Sequence, residues 1–316
     1  IRYVEELTKA TAERERMAVE LSLAATIQAN MLPCTFPPYP NRRDFDIYAS
    51  MDAAKEVGGD FYDFYLLDND RFAFLVADVS GKGIPAALFM MRAKMTIKAL
   101  AESGADVHVI LSEANERLCK ENEAGMFVTA WLGIVDMKTG VLSYANAGHN
   151  PPLIRHRQGS FDYIKERPNF ILAGMEGVPY RKNEIQLWPG DELFLYTDGV
   201  TEATNEDQEL FGESRLREAL NGISEGSVES RCKAVKNEID IFAGDAEQFD
   251  DITMLSLRFN SFQDDECIIT QADAESTERV WNFISCQTKK AELGSKIANR
   301  AQIVVDEIYS NIQLYS

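Results

Sequence analysis

The feature that most constrains the fold is a succession of short apolar runs with strand character, separated by turn-forming residues. The runs occupy residues 45–50, 61–67, 72–79, 127–135, 141–146, 185–188, 192–197 and 252–259. Turn sequences such as Asp68-Asn69-Asp70 join several of them over hairpin distances. Short connections join antiparallel neighbours, because a parallel pair needs a long crossover. The sequence therefore predicts antiparallel sheets.

Helical patterns interrupt these strands at residues 85–100, 106–121 and 227–242. The first pattern has Pro85 in its first turn, and the second has Asp106 as a candidate N-cap. Because strands and helices are grouped apart, we predict an α+β fold in which helices cover two packed antiparallel sheets.

Residues 1–32 lack Gly and Pro and predict a long amphipathic helix, which Pro33 ends. One face of this helix is formed by residues that recur at alternating spacings of four and three: Met17, Leu21, Ala24, Gln28 and Met31. We interpret it as a linker that pairs with a second copy in a coiled coil, which predicts a homodimer. The alternative is a helix that packs on its own domain.

Composition narrows the function classes. Lys+Arg 32 against Asp+Glu 51 gives a net charge of −19, which argues against a nucleic-acid partner. Five cysteines without a CxxC pair argue against a disulfide framework and predict a cytoplasmic location. No apolar run is long enough to span a bilayer. The chain begins without Met and ends within a predicted helix, so we expect the natural protein to continue, and a membrane-bound sensor stays open.

Four times, an Asp stands at the end of an apolar strand beside Gly or another small or acidic residue. The segments are VGGDFYD (57–63), VADVSGKG (76–83), YTDGVTE (196–202) and FDDIT (249–253). Carboxylates forced together raise one another's pKa unless a cation neutralises them. Oxygen ligands without His or Cys favour Mg²⁺, Mn²⁺ or Ca²⁺ over zinc. A lone Asp-Gly is usually a turn, but the ordered set predicts a divalent metal site.

Longer segments carry a family resemblance. They are ATIQANMLP (25–33), EVGGDFYDF (56–64), ADVSGKGIP (77–85), YANAGHNPP (144–152), LYTDGVTE (195–202) and DDIT (250–253). Together they resemble the PPM-type metal-dependent serine/threonine phosphatases of the bacterial SpoIIE/RsbU branch, over about residues 20–259. The resemblance implies a β-sandwich flanked by helices, with a linker at 1–32 and a phosphatase domain at 33–260.

The resemblance also implies the site. Asp78 would bridge two Mn²⁺ or Mg²⁺ ions, the carbonyl of Val79 would complete one metal site, and Asp198 and Asp250 would hold the second metal. Asp60 would contact the cluster directly or through a water, so Asp60 and Asp78 are the predicted catalytic residues. A water activated by the two metals would attack phosphorus without a protein nucleophile. The implied substrate is a phosphorylated STAS-domain anti-anti-sigma factor.

Three neighbouring residues stay open. Asp251 is the less favoured member of its adjacent pair. His149 is either the leaving-group acid or, as we favour, a loop histidine bonded to backbone. Lys82 either steers phosphate or is a solvated surface lysine. Gly59 and Gly199 are expected to let the backbone pass close to the metals.

Residues 261–316 predict a short strand at 267–270 and helices at about 274–290 and 294–315. Glu307 and Asn311 lie one helical turn apart. This spacing resembles the N-box of GHKL ATPases in the RsbW anti-sigma-factor kinase group, which implies a truncated α/β segment with an incomplete ATP/Mg²⁺ site. The alternative is an amphipathic helix with both residues on its wet face.

The sequence thus predicts a metal-dependent protein serine/threonine phosphatase regulated through its N-terminal helix. Two alternatives remain: a non-catalytic interaction module with the same fold, and a two-metal hydrolase acting on small phosphate esters.

Overall fold

The computed structural model describes residues 2–157, 159–223 and 226–261, together with 297, 300 and 303–305. The chain divides into two compact units, Ile1–Gln263 and Asp264–Ser316. In the second unit, the described residues are helical and fall within the helix predicted at 294–315. Glu307 and Asn311 lie outside the described residues, as does the strand predicted at 267–270.

The strands of the first unit form two antiparallel five-stranded sheets, as predicted. The first sheet has the order β1 (Phe45–Asp52), β10 (Ile252–Phe259), β9 (Glu192–Tyr196), β6 (Leu153–Arg155) and β7 (Asp162–Tyr163). The second has the order β2 (Phe61–Leu66), β3 (Arg71–Val79), β4 (Val128–Asp136), β5 (Val141–Ala147) and β8 (Asn183–Gln186). Residues of both sheets share one apolar core, in which the rings of Phe45 and Phe72 lie 4.3 Å apart.

Helices cover the sheets. They are α1 (Arg2–Met31), α2 (Ile84–Glu102), α3 (Val107–Cys119), α4 (Asp198–Thr201), α5 (Gly212–Gly222) and α6 (Val228–Ala243). Asp106 caps α3 as predicted, since its side chain accepts a hydrogen bond from the backbone N–H of Val107. Helices α2 and α3 pack on the second sheet and α6 on the first. The predicted α+β class and the flanking helices are confirmed.

Helix α1 confirms the predicted helix and ends where Pro33 was expected to end it. Met17, Leu23 and Ile27 are exposed, whereas Gln28 is buried against the helix's own domain. The coiled-coil pairing therefore stays a prediction for the upstream turns. None of the helices in the described part of the chain is both long and apolar enough to cross a membrane.

Candidate functional site

Asp60 and Asp78 lie side by side at one end of the second sheet. Strands β2 and β3 pair with Phe61 opposite Ala77, and the same register carried one residue further sets Asp60 opposite Asp78. Asp60 is only 2% exposed. Burial, and then the charge of Asp78, raise the pKa of Asp60 well above its ordinary value. Burial, and then the charge of Asp198, raise the pKa of Asp78 to about 7.

Asp198 and Asp250 come from the corresponding end of the first sheet. Strands β9 and β10 pair with Tyr196 opposite Met254, so the end of β9 and the beginning of β10 lie together. Asp198 is the first residue of α4, directly after β9. Burial, followed by the charges of Glu202 and Asp250, raises the pKa of Asp198.

A buried threonine joins the two sheet ends. The hydroxyl of Thr197 donates a hydrogen bond of 2.6 Å to Oδ2 of Asp60 and accepts one of 3.1 Å from the backbone N–H of Thr253. The charges of Asp198 and Asp250 both contribute to the raised pKa of Asp78, so carboxylates of the two sheets act on one another. Asp60, Asp78, Asp198 and Asp250 therefore form one acidic cluster. Sequence reasoning gave Thr197 no role, although it immediately precedes the Asp-Gly pair.

Asp251 has a different task from its neighbour Asp250. Its two carboxylate oxygens accept hydrogen bonds of 2.9 Å from the backbone N–H groups of Ala54 and Gly59. The side chain thus holds the loop that leads into Asp60. This use of both oxygens supports the preference for Asp250 as the residue that faces the cluster.

Two glycines allow backbone segments to meet behind the cluster. A Cβ on Gly59 would lie 2.6 Å from the carbonyl oxygen of Val79, and a Cβ on Gly199 would lie 2.0 Å from that of Asp251. Real side chains do not tolerate such distances from a backbone atom. The predicted close approach is therefore between segments of the chain itself, and it brings the Val79 carbonyl beside the Asp60 loop.

Lys82 is not a free, solvated surface lysine, and its role in steering phosphate stays a prediction. Its Nζ lies 3.0 Å from Oδ2 of Asp250 and donates a hydrogen bond of 2.6 Å to the carbonyl of Phe249. The ammonium also lies 3.6 Å from the centre of the exposed Phe249 ring. Lys82 is thus a counterion of the acidic cluster.

His149 is a buried loop histidine. Its Nδ1 lies 2.8 Å from the hydroxyl of Thr129, and its backbone N–H donates to Oδ1 of Asn146 at 2.7 Å. Burial lowers the pKa of His149 to about 4. A neutral, buried imidazole agrees with the favoured interpretation and not with a proton donor at neutral pH.

Helix α1 contacts the loop that carries Asp60 through Gln28. The Gln28 amide donates a hydrogen bond of 2.7 Å to the carbonyl of Gly58 and accepts one of 3.1 Å from the Gly58 N–H. This pair of bonds fixes the backbone two residues before Asp60. Sequence reasoning placed Gln28 in a coiled-coil stripe and missed the contact.

The donor set suits a hard divalent cation. Every predicted ligand is a carboxylate or carbonyl oxygen, and the mutual charge that raises the pKa of Asp78 would be offset by a cation between the two sheet ends. In the part of the chain that the structure describes, no group of three or more His, Cys, Asp or Glu side chains is arranged so that it could hold a metal ion as it stands. Asp60, Asp78, Asp198 and Asp250 would therefore have to come closer together in order to share one.

Comparisons with known proteins agree with this geometry. Residues 68–260 match the family described as Stage II sporulation protein E (SpoIIE). RsbU of Bacillus subtilis, named a phosphoserine phosphatase, is 30% identical over 247 residues, covering 78% of this chain and 71% of RsbU. Protein IcfG of Synechocystis sp. is 29% identical over 270 residues, covering 77% of this chain but only 42% of IcfG.

Among solved structures, the SiaA-PP2C domain of Pseudomonas aeruginosa superimposes with a TM-score of 0.70 at 25% identity. The match covers 79% of this chain and 99% of that domain. The fold is therefore that of the PP2C phosphatases, which confirms the predicted architecture. The shared fold, the extent of the family match and the identity to RsbU place the chain in the SpoIIE family, within its RsbU branch.

Proposed function

We propose that this chain is a metal-dependent protein serine/threonine phosphatase that dephosphorylates a phosphorylated STAS-type anti-anti-sigma factor. One observation carries the proposal: the pair Asp60 and Asp78 from one sheet meets the pair Asp198 and Asp250 from the other in a single acidic cluster. The name of RsbU supports phosphoserine as the substrate group.

In this proposal, the cluster and the carbonyl of Val79 hold two Mn²⁺ or Mg²⁺ ions. Such ions, when bound, supply a water that is ionised near neutral pH and a positive field for phosphoryl oxygens. The chain itself supplies orientation, because Thr197 holds the carboxyl group of Asp60 and Asp251 holds the loop before it. Lys82 forms an ion pair with Asp250, and this pair has to break when a cation binds that carboxylate.

The test is phosphate release from a phosphorylated STAS protein, with and without Mn²⁺. We expect Mn²⁺-dependent turnover that Asp78→Asn abolishes and that Asp207→Asn, an exposed acid outside the cluster, leaves unchanged. Turnover without metal, or full activity in Asp78→Asn, would refute the mechanism. Preferential turnover of small phosphate esters would favour the alternative hydrolase.

The proposal includes regulation through α1, with a homodimer formed by its upstream turns. Gln28 is the physical connection, because it fixes the Gly58 backbone next to Asp60. We expect Gln28→Ala to weaken Mn²⁺ binding several-fold, since two hydrogen bonds of the loop are lost. Gln186→Ala, which alters an exposed glutamine whose amide donates to the backbone carbonyls of Thr139 and Leu187 away from the cluster, is the matched control. An unchanged Mn²⁺ affinity in Gln28→Ala would remove α1 from the regulatory scheme.

A further inference from the structure

A basic cavity lies at the end of β9 that is remote from the acidic cluster. Its volume is about 950 Å³, and four arginines line it: Arg155, Arg157, Arg231 and Arg258. Strand β9 begins at Glu192, beneath these arginines, and ends at Tyr196, two residues before Asp198. At about 3.3 Å per residue, the strand from Glu192 to Tyr196 is about 13 Å long, and the two sites lie at its opposite ends.

Among the described residues, the cavity carries more positive than negative charge. Both carboxylate oxygens of Glu192 are engaged, with Arg155 at 2.9 Å, with Arg258 at 3.1 Å, and with Arg231. Three guanidinium groups thus share one carboxylate. Arg157 is exposed at the rim and adds a further positive charge. Such an excess is unexpected by chance in a chain of net charge −19.

Some of the guanidinium nitrogens are buried without a hydrogen-bond partner. Arg231 has no exposed surface, yet its Nη2 has no partner among the described residues, and neither does Nε of Arg155. The Phe161 ring lies 5.2 Å from the guanidinium of Arg155 and 5.3 Å from that of Arg231. The ring covers one face of each guanidinium but accepts no hydrogen bond from the N–H groups, which point outward in the guanidinium plane. A purely structural ion pair would be expected to satisfy these donors.

We propose that this cavity binds a small anion that carries a diphosphate or triphosphate group. Guanidinium groups present N–H donors in a planar fork that matches phosphoryl oxygens. Glu192 and the adjacent buried Asp191, whose Oδ1 accepts a hydrogen bond from the backbone N–H of Arg157, offset two of these charges. Among the described residues, the four arginines retain an excess of two positive charges, which a single carboxylate ligand would not neutralise. The volume lies within the range of small-molecule sites. An inorganic oligophosphate and a nucleoside oligophosphate share this chemistry.

The experiment titrates the whole chain with pyrophosphate and with ATP by calorimetry, in EDTA so that no metal holds phosphate at the acidic cluster. Both probes are expected to bind with one site per chain. Arg157→Gln should weaken binding about tenfold, as expected for a lost charge-assisted hydrogen bond. Arg14→Gln, which removes an exposed arginine on α1, should leave binding unchanged. Tighter binding of ATP identifies a nucleoside contribution, whereas equal binding shows that the oligophosphate is sufficient.

Arg155→Gln tests the cavity floor, and the double variant Arg155→Gln/Arg157→Gln removes two of the four positive charges that line the cavity. Both should lose binding more completely than Arg157→Gln, with circular dichroism reporting their fold. The proposal is overturned if neither probe binds at millimolar concentration, or if the folded double variant binds as tightly as the unchanged chain. Binding that appears only when Mn²⁺ replaces EDTA, and that Asp78→Asn abolishes, would instead place the anion at the acidic cluster and would also overturn it.

Discussion

Removing one charge from the acidic cluster is expected to stabilise the metal-free protein. The pKa of Asp78 is raised from 3.8 to about 7 in the folded chain. The folded state therefore binds more protons than the unfolded state between about pH 4 and pH 7, and stability falls as the pH rises through this window. A pKa difference of about three corresponds to a penalty of about 4 kcal/mol in the free energy of unfolding, and the whole penalty applies at pH 8.

Asp78→Asn removes this penalty, so in EDTA the variant should be more stable than the unchanged chain at pH 8 and nearly equal to it at pH 4. At 2–4 °C per kcal/mol, thermal melting should rise by roughly 10 °C at pH 8. Asp207→Asn, an exposed carboxylate, is the matched control. Added Mn²⁺ should reverse the order, because only the unchanged chain retains the full ligand set. The reasoning is refuted if Asp78→Asn melts no higher at pH 8, or if its gain is the same at pH 4 and pH 8.

Three further substitutions test other contacts of the site. Gly199→Ala places a Cβ 2.0 Å from the carbonyl of Asp251 and should lower the free energy of unfolding in urea by about 1–3 kcal/mol; an unchanged midpoint would contradict the packing. Lys82→Gln removes the ammonium that lies 3.0 Å from Oδ2 of Asp250, and it should raise the Mn²⁺ affinity measured by calorimetry by up to about fivefold. Weaker Mn²⁺ binding in this variant would show that Lys82 supports metal binding and does not compete with the metal. Because the folded pKa of His149 is about 4, the unchanged chain should lose stability as the pH falls from about 6.5 to about 4, by about 2 kcal/mol at pH 5. His149→Gln should abolish this loss. If the free energies of unfolding in urea of the two proteins changed with pH in parallel, the prediction would be wrong.

The long strands and helices were predictable because each one satisfies a local rule. β3 and β10 read as apolar runs of strand length, and α3 begins at the capping residue Asp106. The strands β6 and β7 were missed because three and two residues carry no alternation. Helix α5 was missed because only Leu216 and Leu220 of its eleven residues are buried.

The sequence predicted which residues form the acidic cluster, but it did not predict the contacts that hold those residues in place. Asp60 and Asp78 stand at strand ends, where the pattern of the chain itself indicates a site. Gln28 and Asp251 act on backbone groups that are 30 and 192 residues away in the sequence. No spacing rule connects such positions, because their contact depends on how the two sheets and α1 pack. Lys82 was ambiguous for the same reason.

Strand β9 shows how the same physical rule operates at both ends of one element. All five of its residues are buried, and it begins at Glu192 in a cluster with excess positive charge and ends beside Asp198 in a cluster with excess negative charge. Like charges brought together by strand ends raise the energy of the folded chain unless a counterion joins them. At the acidic end, Lys82 and Thr197 supply only part of the compensation, and at the basic end Glu192 supplies one charge against three. The fold therefore holds two sites of opposite charge whose stability depends on what they bind, so a cation at one end and an oligophosphate at the other should each raise the melting temperature independently of the other.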